Sequence, residues 1–381
     1  MSKINVRSFS NENEDGAPDL VGITTFSATS YFVPTRGTTA QRPSDHVEVG
    51  SLRYIYDTKN LEYYRGDTIG WSQFELIDPD IGRGSGFNAE GLGTRGIFGS
   101  GEAPHGDTID LLTISTFGDS IDFGNLTQNR SSGGSMGSNE TRGLFAGGQN
   151  PSPFTFFNII DFVTIASAGN ATDFGDLENT AYNVSGFSSR TRGLAACGQK
   201  GPSFAAVNTI EYVTIASIGD ARNFGDTSTI RTLLAGAASS TRGIFAGGGD
   251  VQDVIDFVTI QTLGDATDFG NLTVARKGLM GLSNSTRALF AGGETPSNSD
   301  IIDYITIATT GNAADFGDLT VVKNTSSGTS SSTRGVFAGA QPSDVIDKVE
   351  ILSTGNAVDF VNLGRGASRC YGAFSNGHGG L

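Results

Sequence analysis

Six arginines and six carboxylates recur in step along this chain: Arg95, Arg142, Arg192, Arg242, Arg287 and Arg334, with Asp110, Asp161, Glu211, Asp256, Asp303 and Asp347. A guanidinium satisfies a carboxylate and several carbonyls at once. Equal numbers in equal phase therefore predict structural ion pairs or loop hydrogen bonds between adjacent strands of one repeated unit, ahead of a ring-shaped binding site. A second set of acids sits in a recurring G-[ND]-A-x-D-F, as in GNATDF from Gly169 to Phe174. Oxygen ligands at this density suit Ca²⁺, but EF-hand spacing is absent and Asn or Asp beside Gly is ordinary turn chemistry, so turns and no metal are expected. Glycosidase carboxylates are recognised by separation in space, and no acid here stands out for that work. The expectation is no catalytic residue, no cofactor and no enzyme. His46, His105 and His378 fall in unrelated contexts. Arg65-Gly66-Asp67 spells an adhesion tripeptide inside a hairpin, where coincidence is the simpler reading. GRGSGFNAEGLG at 82 mimics a phosphate loop without a strand-loop-helix setting.

These residues are carried by a repeat. The phrase TRGLFAGG, Thr141 to Gly148, returns as TRGIFGSG at 94, TRGLAACG at 191, TRGIFAGG at 241, TRALFAGG at 286 and TRGVFAGA at 333. Intervals of 47, 50, 50, 45 and 47 residues indicate one supersecondary unit repeated in an array. Each unit reads as four strands. After the phrase comes a loop of variable length, then an apolar run such as IIDFVTIA at 159, patterned for burial on both faces. The G-N or G-D pair that follows predicts a two-residue primed hairpin turn, at Gly169-Asn170 and its equivalents. A Phe then recurs at 123, 174, 224, 269, 316 and 360, one large apolar anchor per unit for a core between neighbours. A Ser/Gly-rich run leads back to the next TRG as the remaining strand.

The order of these features resembles the kelch repeat, the four-stranded blade of galactose-oxidase-like β-propellers. Gly147-Gly148, Gly247-Gly248 and Gly292-Gly293 match its double glycine, while Phe174 and its equivalents stand where kelch blades usually carry Trp. The resemblance covers about residues 82 to 381. It implies an all-β chain: a six-bladed kelch-like β-propeller over 82–381, preceded by a small β-rich N-terminal attachment domain over 1–81. A copper site of the oxidase kind would need His and Tyr ligands near a Cys, and the scattered histidines argue against it. Both Arg83 to Thr94 and Arg369 to Gly380 read as leading strands, seven for six sets of the other three, so one chain end is expected to complete a shared blade. The N-terminal segment from Val33 to Trp71 contains the only Trp and a hairpin, LRYIYD then LEYYRG. It is similar to segments of phage tail-fibre and baseplate-associated proteins, and the wording of the repeats resembles that of marine phage structural proteins.

Composition narrows the partners. The formal charge is −15, with 12 acids against 7 bases in residues 1 to 80 and 28 against 18 beyond. Phosphate-backbone binding needs clustered Lys and Arg, so nucleic acid is not an expected partner. High Gly, 54 residues, with abundant Ser, Thr, Val, Ile and Phe favours tight turns and strands. Cys197 and Cys370 are too few for a disulfide framework. No apolar stretch approaches 18 residues and MSKINVRSFSNENEDG lacks an h-region, so a soluble chain without membrane insertion or Sec export is expected. The loops after the double glycines vary, and the two longest carry Phe154, Phe156, Phe157 and Phe204. Framework residues hold a repeat while its variable loops are free to bind. These four are the expected contacts to a host-surface glycan or protein, or else cover one end of the fold or pack on a neighbouring subunit. The resemblances imply a virion protein attached to other virion proteins through residues 1–81, as a tail fibre or tail-associated protein in host recognition. The alternatives are a capsid-decoration or baseplate subunit, and a polysaccharide depolymerase. Fibre proteins are often homotrimers, though no heptad repeat in residues 1 to 80 demands one.

Overall fold

The computed structural model describes residues 35–43, 47–57, 60–67, 70–73, 94–101, 106–151, 153–196, 198–340 and 343–381. It divides into two compact units, Met1–Leu76 and Ile77–Leu381. In the first, Thr35–Gly37 runs parallel to Leu52–Ile55, which pairs antiparallel with Asn60–Tyr64 and through it with Trp71–Gln73. The hairpin expected around Asp57 to Asn60 is present, with Ile55 opposite Asn60. Glu62 is fully buried at its centre and is held by Arg42 at 2.7 Å and Arg53 at 3.6 Å. Two guanidiniums on one carboxylate supply the pairing that a buried charge requires.

The second unit is nearly all β and contains six four-stranded antiparallel sheets. The first joins Cys370–Ser375 to Arg95–Gly101, Thr108–Thr113 and Ile121–Asn125. The second is Gly134–Ser138, Arg142–Ala146, Ile159–Thr164 and Thr172–Asp176, and the third Ser185–Ser188, Arg192–Ala196, Thr209–Thr214 and Arg222–Asp226. The fourth is Ala235–Ala238, Arg242–Ala246, Val254–Thr259 and Thr267–Asn271. The fifth is Met280–Ser283, Arg287–Ala291, Ile301–Thr306 and Ala314–Asp318, and the sixth Ser327–Ser330, Arg334–Ala338, Val345–Glu350 and Val358–Asn362. The C-terminal leading strand is therefore the one that joins the first sheet. Its rival at residues 83–93 lies outside the described residues, as does the glycine-rich stretch there.

The core lies between sheets. Each of six buried apolar clusters draws on two consecutive sheets, such as Phe187, Leu194 and Phe224 of the third with Phe245 and Ile260 of the fourth. Phe98, Leu112 and Ile114 of the first sheet close against Val336 and Phe360 of the sixth. All six recurring Phe residues are buried, each contributing about 1.5–3 kcal/mol relative to exposure. The glycine of TRG follows from this packing. A Cβ on Gly143 would stand 1.8 Å from the Phe374 ring, and one on Gly243 would stand 1.9 Å from Phe187. In the fifth copy the phrase reads TRA, and Ala288 packs in one cluster with Ala237, the residue at the position of Phe187 one repeat on. Gly143→Ala is accordingly expected to cost about 1–3 kcal/mol by overpacking. Adding Phe374→Ala should recover part of that loss, a coupling readable from denaturant midpoints of the two single variants and the double.

The glycine-asparagine pair is not the predicted hairpin turn. The chain reverses earlier, where Ser167 N donates to Thr164 O at 3.2 Å. Gly169 N then donates to Phe123 O at 2.8 Å and Ala171 N to Asn125 O at 2.8 Å, while Asn170 Oδ1 accepts from Asn125 N at 3.1 Å. The pair thus runs along the edge of the preceding sheet and satisfies its outer strand. Gly124 is required at this crossing, because its Cβ would lie 2.4 Å from Gly169 O.

Candidate functional site

The recurring arginines and the recurring acids do not form the ion pairs within one unit that the sequence allows; the arginines make hydrogen bonds to carbonyls, but between sheets. Register places Arg142 opposite Thr164 but Phe145 opposite Asp161, so the two charges occupy opposite ends of one strand pair. Each arginine reaches forward to the next sheet instead. Arg95 donates to Ile165 O at 2.9 Å and Ala166 O at 2.8 Å, and Arg142 to Ile215 O at 3.3 Å and Ala216 O at 3.1 Å. Arg192 donates to Ile260 O, Arg242 to Ile307 O and Arg287 to Ile351 O at 3.1, 3.0 and 3.2 Å. Arg334 of the sixth sheet returns to Ile114 O of the first at 2.8 Å. Five of these guanidiniums also lie over an aromatic ring of their own sheet, 4.5 Å from its centroid for Arg242 on Phe257 and 5.5 Å for Arg334 on Phe360, adding cation–π attraction.

The acids take their bases from the segment that enters each sheet. Arg130 reaches Asp161 at 2.9 Å, Arg276 reaches Asp303 at 2.7 Å and Lys323 reaches Asp347 at 3.2 Å, all fully buried. Arg231 bonds Asp256 in the same way, and Arg365 reaches Asp110 at 2.5 Å. In two of them the free arm holds the double-glycine bend: Arg276 Nη1 donates to Gly292 O at 2.6 Å and to Ile301 O at 2.7 Å, and Arg231 Nη1 donates to Gly247 O at 2.9 Å. Burial pushes the Lys323 ammonium below its ordinary pKa, and Asp347 opposes that shift. In the third sheet Ala181 occupies the base position, and Glu211 accepts from Glu178 N at 3.0 Å. The signal was present in the sequence as a base four residues after a recurring Leu, Leu126 to Arg130, Leu272 to Arg276 and Leu319 to Lys323. None of these carboxylates is free for acid–base work in this arrangement.

A second set of contacts had no counterpart in the sequence reading. The last residue of each first strand is Ser138, Ser188, Ala238, Ser283, Ser330 or Ser375. Each serine hydroxyl donates to the equivalent carbonyl of the preceding sheet. Ser138 bonds Ser375 O, Ser188 bonds Ser138 O, Ser283 bonds Ala238 O and Ser330 bonds Ser283 O at 2.6–2.7 Å, and Ser375 bonds Ser330 O. The one step without a hydroxyl is Ala238, whose neighbour across the series is Ser188. Against it lies the segment 376–381, with Gly380 close to Ser188 O and Gly379 close to Ala238 O. His378 anchors that segment: Nδ1 accepts from Gly380 N at 3.1 Å and Nε2 donates to Ser138 O at 2.9 Å. Burial lowers its pKa to about 4.

The first strands of all six sheets line one cavity of about 100 Å³, with His378 at one end beside Ser138 and Ser188. Its other end lies beside the double-glycine loops, because strand pairing sets Gly134 opposite Ala146. There Phe156, Tyr182 and Phe204 form a three-way aromatic cluster with centroids 5.1 to 5.7 Å apart. Phe156 and Phe204 were expected in these loops; Tyr182, from the segment entering the third sheet, was not. Phe204 is 46 % exposed and held at φ +58, with Gln199 Nε2 donating to its carbonyl at 3.2 Å. Phe157 is half-buried, its amide bound to Gly148 O at 2.9 Å. The Phe154 side chain lies outside the described residues, as do His46, His105 and Cys197. Cys370 is a buried free thiol. In the tripeptide at Arg65, Asp67 accepts the Tyr64 hydroxyl, which ties the carboxylate into its own hairpin.

Among the described residues no group of His, Cys, Asp and Glu is arranged to hold a metal ion, and no helix is long and apolar enough to cross a membrane. No protein-family model matches the chain, and no curated protein matches it.

Proposed function

We propose that this chain is a phage virion protein in which the six sheets are the blades of a kelch-like β-propeller, and that the propeller binds the host surface from a tail fibre or tail-associated position. Residues 1–81 attach it to other virion proteins, and no covalent chemistry is involved. Three sets of contacts support the circular arrangement: the inter-sheet cores, the arginine bonds and the serine bonds each run from sheet to sheet and link the sixth to the first. A blade buries both faces only between two neighbours, which six equal sheets in series satisfy by closing.

One observation carries the binding role. The repeating ionisable groups hold the framework, whereas the side chains left exposed at the loop end include Phe204, on its clustered aromatic base. A preorganised aromatic on a rigid scaffold is what recognition sites use. The test is immunogold electron microscopy of the source particles with antibody against residues 82–381, followed by adsorption with the purified chain as competitor. Tail label and competition that weakens about tenfold in Phe204→Ala are expected. Label scattered over the capsid makes the protein a decoration subunit, cleavage of capsular material makes it a depolymerase, and unlabelled particles remove the virion assignment.

A further inference from the structure

We infer that Lys323 and Asp347 condense within the folded chain to an amide, a side-chain cross-link in the sixth sheet. The inference stands apart from the proposed receptor role, since it concerns a single modification of the chain by itself with no external substrate. Its first support is residue type. Of the five bases that reach the recurring acids, four are arginines, and a guanidinium does not give up its proton to become a nucleophile. Lys323 is the one amine, and among the described residues it is the only buried lysine. Its Nζ stands 3.2 Å from Asp347 Oδ2, with both side chains fully buried. Burial lowers the Lys323 pKa, which favours the neutral, nucleophilic form.

The Asp347 carboxylate supplies an independent observation. In the second, fourth and fifth sheets a backbone amide holds Oδ2 of the matching acid: Thr127 N donates to Asp161, Ser228 N to Asp256 and Thr273 N to Asp303 at 3.1–3.2 Å. Arg231 and Arg276 add guanidinium hydrogen bonds to the same oxygen. Asp347 Oδ2 is buried and accepts no hydrogen bond among the described residues, although Nζ lies beside it. The hydrogens of Nζ go instead to Phe337 O at 3.2 Å and Val345 O at 2.6 Å. Oδ1 keeps its bond from the Thr320 hydroxyl, as the other acids keep theirs from Thr127, Ser228 and Thr273. A buried acceptor without a hydrogen bond costs free energy, and condensation expels that oxygen.

The step balances within the pair. One ammonium proton passes to Oδ2, and the neutral Nζ attacks Cγ. The N–C bond forms as the carbonyl electrons move onto Oδ1, where the Thr320 hydroxyl stabilises the oxyanion. A second Nζ proton passes to Oδ2, the Cγ–Oδ2 bond breaks and water leaves. The carbonyl re-forms at Oδ1, and the remaining N–H serves Val345 O. Ammonium and carboxylate thus give amide and water, with no other reactant. The product ties the segment entering the sixth sheet to that sheet's third strand, Val345–Glu350.

The full chain, purified folded and held at pH 7 to constant mass, is to be measured by intact mass spectrometry under denaturing conditions and then digested with trypsin. The expected mass is one water below that of the sequence. Digestion should leave the bond after Lys323 uncut and yield one branched peptide joining residues 288–334 to residues 335–348. Lys323→Arg installs the base that the other sheets use and should show the full mass. Thr320→Val should lose water about a hundredfold more slowly, the effect of removing one oxyanion donor. A parent at full sequence mass, a water loss that persists in Lys323→Arg, or equal rates in the parent and Thr320→Val overturns the inference.

Discussion

Arg276→Ala is expected to lower the stability of the second unit by about 3–5 kcal/mol, because it leaves Asp303 buried without its counter-charge. The guanidinium is fully buried, bonds Asp303 at 2.7 Å and also holds Gly292 O and Ile301 O. Its removal therefore strands one charge and releases the double-glycine bend. The double replacement Arg276→Met with Asp303→Leu should recover most of the loss, since an apolar pair of similar volume is often neutral or stabilising relative to a buried ion pair. A surface pair provides the contrast: Arg190 with Glu140 at 3.3 Å is largely exposed, and breaking it should change stability by no more than about 1 kcal/mol. Chemical denaturation of the four proteins decides the matter. A single Arg276 variant as mild as the Arg190 one would mean that the buried pair carries no framework role.

The second large effect is a pH dependence set by His378. In the native state its imidazole is neutral, with Nδ1 accepting from Gly380 N and Nε2 bonded to Ser138 O, and burial lowers its pKa from 6.5 to about 4. Between those values the unfolded chain binds a proton that the folded chain refuses, so stability falls as pH falls through this window. The gap corresponds to about 3 kcal/mol. His378→Gln keeps an amide in place of the ring and removes the titration. The difference in unfolding free energy between parent and variant should therefore shrink by about 3 kcal/mol from pH 7 to pH 4. Asp176 and Asp318, raised chiefly by burial and by nearby carboxylates, act in the opposite direction and are common to both proteins, so they cancel in the difference. Parallel pH profiles would show that the 376–381 segment does not hold the imidazole as described.

Periodicity made the sheets legible from sequence. The TRG phrase, the double glycine and the Phe at 123, 174, 224, 269, 316 and 360 each recur because each occupies one repeated place in the packing. Partners were less legible, since spacing reports phase but not register. Arg142 and Asp161 recur in step, yet antiparallel pairing sends them to opposite ends of the same two strands. The base that does meet Asp161, Arg130, precedes the phrase that draws the eye. Gly169-Asn170 has the composition of a hairpin turn, but its amide and side-chain oxygen answer to the neighbouring sheet, a demand that local turn rules do not contain. The aromatic cluster was half visible: Phe156 and Phe204 stand in variable loops, whereas Tyr182 reaches them because Ala181–Tyr182 pairs with Gln199–Lys200.

The pairing of Cys370–Ser375 with Arg95–Gly101 sets a schedule for synthesis. At ribosomal rates the two strands emerge on the order of tens of seconds apart. Throughout that interval Arg95–Gly101 is an exposed sheet edge, open to pairing with another nascent chain. Its composition, RGIFGSG, limits the hazard, as three glycines and a leading arginine make a poor template for edge-to-edge growth. The strand that waits longest for its partner is thus poorly suited to accept a wrong one.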